Sequence, residues 1–160
     1  MIFVSVGTQL PFDRMIKIID EWTSQNPSVE VIGQISTGDY YPKNFKFERY
    51  IQADRFMELY MNADIIVSHA GMGNIITALE NSKPIIIFPR RFELGEHRNN
   101  HQVSTVKKFK NKDNVFIAED QAELIDAINK IKSRDFTVNN MSLNTIELCE
   151  FLDKSVKGWF

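Results

Sequence analysis

Apolar and polar positions alternate along this chain between two patterns. Short, mostly apolar runs read as strands: residues 2–6, 29–35, 64–67, 84–88 and 115–118. Between them, apolar residues recur at helical spacing. Phe12, Met15, Ile16, Ile19 and Trp22 predict a helix over residues 12–23, ended by Asn26-Pro27. Residues 45–50 read as a weaker strand. Asp54 is placed to cap a helix that runs to Met61. Further helices are predicted over about 74–81, 99–109 and 120–131, the last capped by Asp120 with Glu123 at capping-box spacing. Strands alternating with helices predict an α/β fold, a mostly parallel sheet covered on both faces with Rossmann-like topology.

The pattern divides the chain into a domain over residues 1–135 and an extension over 136–160. In the extension, residues 141–156 look helical, and the chain ends Gly158-Trp159-Phe160. This tail either packs back on the domain or docks a partner.

The densest chemistry lies between Ala63 and Gln102. A strand runs into Ser68-His69-Ala70-Gly71-Met72-Gly73, a helix starts at about Asn74, and another strand follows. A helix that begins at a glycine turn offers unpaired N–H groups and a positive dipole end, which suit a diphosphate. The loop after the next strand carries Arg90, Arg91, Glu96, His97, Asn100, His101 and Gln102 to the same sheet edge. Gly7-Thr8 closes the first strand there, and glycine lets backbone approach a ligand closely. The turn lacks the third glycine of a dinucleotide fingerprint and the Lys-Ser/Thr pair of a Walker loop, which argues against NAD and ATP. His97 and His101, four apart, with His69 as a third ligand, raise a metal site. No cysteine supports it, and recognition of sugar hydroxyls by Glu, His, Asn and Gln fits the loop better. Arg90 and Arg91 are placed either to meet phosphate or to form surface ion pairs.

Composition narrows the classes. The 160 residues carry a formal charge of −2, so no basic field points to nucleic acid. The run Lys107-Lys108-Phe109-Lys110 reads as a solvated face, with an anionic surface as the other reading. The single cysteine, Cys149, excludes an internal disulfide and fits a reducing cytosol. No apolar run approaches the roughly 20 residues that span a bilayer. The first strand begins at residue 2, so no signal peptide is expected.

The segments V-S-V-G-T, S-H-A-G-M-G-N-I-I-T-A-L-E, K-P-I-I-I-F-P-R-R and E-H-R-N-N-H-Q resemble the donor-binding half of MurG-like glycosyltransferases. More closely, they resemble the small PssE-type subunits of bacterial polysaccharide synthesis. They are also similar to the soluble catalytic subunit of the eukaryotic dolichol-linked N-acetylglucosaminyltransferase. The resemblance covers roughly residues 1 to 130 and implies one half of a GT-B fold. It implies that Ile51 presents its backbone to uracil, and that Gly71, Gly73 and Asn74 face the diphosphate. It implies that Glu96 and His97 hold donor sugar hydroxyls. Thr77 stands where MurG-like enzymes carry a ribose-binding glutamate, and Glu80, one turn on, is the candidate replacement.

The resemblance further implies a donor-binding catalytic subunit that moves a sugar from a UDP-sugar to a lipid-diphosphate-linked acceptor, in exopolysaccharide or capsule synthesis. The UDP-sugar is a substrate, and neither cofactor nor metal is expected. Gly73 and Arg90 would support the leaving group. The general base would lie on a membrane-anchored PssD-type partner, which recruits this cytoplasmic chain to the inner membrane. The rival is a non-catalytic UDP-sugar-binding or scaffolding subunit. A sugar-nucleotide epimerase fits poorly, since its Tyr-x-x-x-Lys and dinucleotide glycines are missing.

Overall fold

The computed structural model describes residues 1–110, 112–133 and Glu150. The predicted helix over 141–156 and the terminal aromatics therefore lie, Glu150 apart, outside the described residues. Six strands form one sheet: β1 (Ile2–Ser5), β2 (Val31–Gln34), β3 (Lys46–Glu48), β4 (Ile65–His69), β5 (Ile85–Phe88) and β6 (Val115–Ile117). Their order is β3-β2-β1-β4-β5-β6, and every neighbouring pair is parallel. The helices are α1 (Asp13–Gln25), α2 (Ala53–Asn62), α3 (Met72–Glu80), α4 (His101–Phe109) and α5 (Gln121–Lys132). This is the Rossmann-like sheet the alternation predicts, with the parallel character complete.

Side-chain alternation along each strand sorts the core into two layers. Ile2 and Val4, Ile65 and Val67, and Ile86 and Phe88 face α1 and α5. Phe3, Ile66, Ile85 and Ile87 face α2, α3 and α4. All four residues of β5 are fully buried, and burying each such side chain stabilises by about 1.5–3 kcal/mol. That is several times the value of a surface ion pair, so the sheet centre holds the fold.

Helix α1 buries Met15, Ile16, Ile18, Ile19 and Trp22 along one side. It also buries Asp20, whose carboxylate accepts from the Tyr40 hydroxyl at 2.7 Å and from the Lys43 and Asn44 N–H groups. Burial alone would raise its pKa; these hydrogen bonds outweigh burial and lower it. The knot pins the helix-free link between β2 and β3 onto α1.

Several predicted boundaries move. Asp54 does not cap α2; Gln52 is the N-cap, and Asp54 sits in the first turn. Helix α3 starts at Met72 rather than Asn74, so Gly73 lies inside its first turn. Helix α4 starts at His101 rather than Asn99, because Asn99 turns its Oδ1 to the His101 N–H at 3.2 Å. Asp120 caps α5 as expected, accepting from the Glu123 N–H at 2.9 Å. The Glu123 carboxylate returns to the Glu119 N–H at 2.8 Å.

Candidate functional site

Strand order reverses between β1 and β4, and their carboxyl ends open a crevice there. It is a cleft of about 650 Å³. The turn after β1 lines it with Gly7, Thr8, Gln9 and Leu10. The turn after β4 and the start of α3 supply His69, Gly71, Gly73 and Asn74. Ile51, Ala53, Phe56 and Met57 form a more apolar side, and Arg90, His97 and Gln102 come from beyond β5.

Helix α3 has Gly71 as its N-cap and no side-chain cap. The N–H groups of its first turn, at Met72, Gly73 and Asn74, have no intrahelical acceptor by geometry. This turn is anchored from beneath. The Asn74 amide donates to Ser68 Oγ at 2.6 Å and to Ser5 Oγ at 3.2 Å, and the Tyr60 hydroxyl donates to the Asn74 carbonyl at 2.6 Å. Asn74 thus ties β1, β4 and α3 together with its side chain.

The two glycine turns close on His69. A Cβ on Gly71 would fall 2.2 Å from His69 Nε2, and one on Gly7 would fall 2.8 Å from Cε1. Gly7 also has φ +78, a left-handed conformation that disfavours side chains. Glycine is needed at both positions for the imidazole to lie between the turns. His69 Nδ1–H donates to the Ser5 carbonyl at 3.4 Å. Burial pushes the imidazole pKa down to about 4; nearby Arg90 and His97 push the same way, against the Ser5 hydrogen bond. His69 is neutral at pH 7. Gly73 differs from the other two: nothing lies within 4 Å of a Cβ built there.

Arg90 lines the cleft, but its guanidinium is committed elsewhere. It donates to the carbonyls of Val6 at 2.6 Å, Leu10 at 2.8 Å, Pro11, and Glu96 at 3.4 Å, and it lies over the Phe12 ring. Burial lowers its pKa to about 10. The expectation that it supports a leaving group gives way to a role in shaping the loop after β1. Gln102 is likewise a clasp: its Oε1 accepts from the N–H groups of Ala70 at 3.2 Å and Arg90 at 3.0 Å.

Glu96 is not among the cleft residues. Its carboxylate is paired with Arg14, at 2.6 and 2.9 Å, and accepts from the Arg91 N–H at 2.9 Å. These contacts commit Glu96 to Arg14 and to the loop backbone, away from the cleft lining where a sugar was expected to meet it. His97 does line the cleft, with Nδ1 3.0 Å from Asn99 Oδ1. Thr77 and Glu80 do not line it. Thr77 returns its hydroxyl to the Gly73 carbonyl at 2.9 Å, and Glu80 ends α3 in solvent. Glu80 lies three residues beyond Thr77, about 4.5 Å along the axis, and is exposed outside the cleft. Arg91 donates to the Glu119 carbonyl, and Asn100 accepts from the Phe92 N–H. His101 opens α4 in solvent, while His97 precedes that helix, so the two do not share a helix face.

Ser5, Gln34, Tyr60 and Arg14 position the site, and sequence reasoning passed them over. Each is a common residue type whose partner lies far away in the chain, so no local motif marks it.

A parallel sheet of this order, with two glycine turns and an uncapped helix start meeting at its switch point, defines a Rossmann-like ligand-binding domain. Residues 1–154 match the glycosyltransferase family 28 C-terminal domain, and the chain belongs to that family. It is 29% identical over 126 residues to the UDP-N-acetylglucosamine transferase subunit ALG13 of Homo sapiens. That match covers 72% of this chain and 11% of the human protein, so the chain spans about a tenth of that relative. The fold is similar to a solution structure of ALG13, with TM-score 0.63 and 18% identity over 89% of this chain and 90% of that one. It is also similar to the glycotransferase of kitacinnamycin, with TM-score 0.70 and 17% identity over 94% of this chain and 39% of that one. These structural neighbours share the GT-B domain architecture.

Proposed function

We propose that this chain is the donor-binding, catalytic subunit of a two-component glycosyltransferase that uses a UDP-sugar. The observation that carries the reading is the uncapped first turn of α3, facing a cleft whose other side is apolar. A nucleoside diphosphate has matching parts: a flat base for Ile51, Phe56 and Met57, and a dianionic bridge for the N–H groups of Met72, Gly73 and Asn74.

Transfer proceeds by one in-line displacement. The acceptor hydroxyl oxygen forms a bond to the anomeric carbon while the bond from that carbon to the UDP oxygen breaks. The acceptor proton goes to a base, and the electron pair leaves with UDP. The first turn of α3 and the Gly7 turn stabilise the charge that develops on the diphosphate. His97 is the sugar-facing side chain of the loop after β5. Among the described residues that line the cleft there is no carboxylate, and the titratable side chains are His69, Arg90 and His97. His69 at a pKa of about 4 is a weak base. This supports a base on a second subunit, a membrane-anchored PssD-type protein that brings the lipid-linked acceptor. Among the described residues no helix is long and apolar enough to cross a membrane; in this reading the partner supplies the attachment. The 3-10 turn Phe92–Leu94 leaves Phe92 and Leu94 exposed near the same sheet edge, where such a partner would close the cleft. In this reading the chain acts at the cytoplasmic face, in exopolysaccharide or capsule synthesis.

Calorimetry with UDP, a UDP-sugar, NAD and ATP tests the donor assignment; UDP is expected to bind and NAD or ATP to bind far more weakly. Transfer to a lipid-linked acceptor is expected only with the partner present. Binding of UDP with no transfer in the reconstituted pair would leave a non-catalytic UDP-sugar-binding subunit.

A further inference from the structure

The cleft has two arms that approach each other across the end of β2. The polar arm is the Gly7 turn with the first turn of α3. The apolar arm begins at Ile51, which leads into α2. Gln34, the last residue of β2, stands where the arms meet and is only 2% exposed. Its Nε2 donates to the Gly7 carbonyl at 3.2 Å, and its Oε1 accepts from the Ile51 N–H at 2.9 Å. One buried amide therefore spans both arms.

We propose that Gln34 is a positioning residue that holds the two arms in one fixed relation, so that a nucleoside diphosphate engages both at once. The inference rests on the nucleotide-sugar reading above and adds the device that aligns its base and phosphate subsites. The chemistry calls for a primary amide. It must donate at one end and accept at the other, without a charge, because it is buried and no ion pairs with it. A carboxylate would set two acceptors 3.2 Å apart at Gly7. A leucine would leave the Ile51 N–H and the Gly7 carbonyl without this partner. Alignment before binding raises affinity for a ligand that touches both arms and does little for a ligand that touches one.

The test compares UDP with its two parts, uridine and inorganic pyrophosphate, on the full chain, by calorimetry and by NMR titration for the weaker parts. In Gln34→Leu, UDP affinity is expected to fall at least tenfold, while uridine and pyrophosphate each change by less than threefold. The Ile51 amide is expected to exchange faster with solvent. Gln34→Glu covers the case in which the leucine variant does not fold. Its protonated carboxyl donates and accepts as the amide does. UDP affinity relative to wild type at the same pH is therefore expected to recover as pH falls from 8 to 5. Taking the ratio cancels the titration of UDP itself; His69, Arg90 and His97 line the same cleft in both proteins. Equal UDP affinity in Gln34→Leu and wild type overturns the proposal. So does a parallel fall for UDP, uridine and pyrophosphate, or a Gln34→Glu ratio that does not move with pH. If the wild-type chain binds no UDP, the nucleotide reading fails, and this inference fails with it.

Discussion

Gly71 lacks a side chain because His69 occupies the place of one: a Cβ there would sit 2.2 Å from the imidazole Nε2. Gly71 has φ −85, a conformation any residue adopts, so the ring and not the backbone demands glycine. Gly73, two residues on, meets no such neighbour. The two glycines therefore separate stability from binding. Gly71→Ala is expected to destabilise the fold by about 1–3 kcal/mol, the usual cost of overpacking, read as a lowered Tm. Gly73→Ala is expected to leave Tm unchanged or raise it, since Ala in a helix is better than Gly by roughly 0.5–1 kcal/mol. It is nevertheless expected to cut UDP affinity by removing space at the helix start. Full UDP affinity in Gly73→Ala would show that the diphosphate does not approach that turn.

His69 makes stability depend on pH in a defined window. Its folded pKa, about 4, lies below its ordinary value of 6.5. Between these values the unfolded chain binds a proton that the folded chain does not, so stability falls as pH drops through 6.5 and levels off near 4. The contribution above pH 6.5 is on the order of 3 kcal/mol. Denaturant melts at pH 7.5 and 4.5 measure it. His69→Gln is expected to flatten the difference between the two; an undiminished pH dependence in that variant would assign it elsewhere.

Arg90 is expected to act through the loop after β1. Arg90→Lys keeps a charge but loses the fork that reaches the carbonyls of Val6, Leu10, Pro11 and Glu96. Hydrogen bonds of a charged group are worth about 1.5–3 kcal/mol, so Tm is expected to fall, with UDP affinity following as the loop loosens. A fall in kcat with Tm and UDP affinity unchanged would return Arg90 to the leaving group.

The Glu96–Arg14 pair and His97 are expected to part company. Glu96→Ala and Arg14→Ala should each lower stability, and the double variant should cost little more than either alone. A coupling of about 1–3 kcal/mol is expected for a half-buried bidentate pair. His97→Ala should leave stability intact and weaken UDP-sugar binding more than UDP binding. Additive losses in the Glu96–Arg14 cycle would free Glu96 for the sugar.

Much of the fold was legible because its signals are local. The central strands are mostly apolar, and β5 is apolar over every residue, as a sheet buried on both faces requires, while α1 and α5 carry apolar residues at helical spacing. Asp120 with Glu123 marked the start of α5 because a cap acts within one turn. The glycine turn at Gly71 and Gly73 was legible as an anion-suited helix start for the same reason. Boundaries slipped by a residue or two where side-chain bonds decided them, some local, as at Asn99 and His101, and some distant. Gln52, not Asp54, caps α2 one residue after Ile51, whose N–H is fastened by Gln34, seventeen positions back.

What the sequence determined by itself was the alternation of strands and helices, the parallel sheet, and the sheet edge at which chemistry collects. Those follow from periodicity and turn residues, which each segment carries alone. Tertiary structure decided which polar residues face the cleft and which are consumed in holding it. Glu96 pairs with Arg14 across 82 residues, and Arg90 reaches back to Val6 across 84. A buried polar group must find a partner wherever the fold places one, and that partner's distance along the chain leaves no local trace.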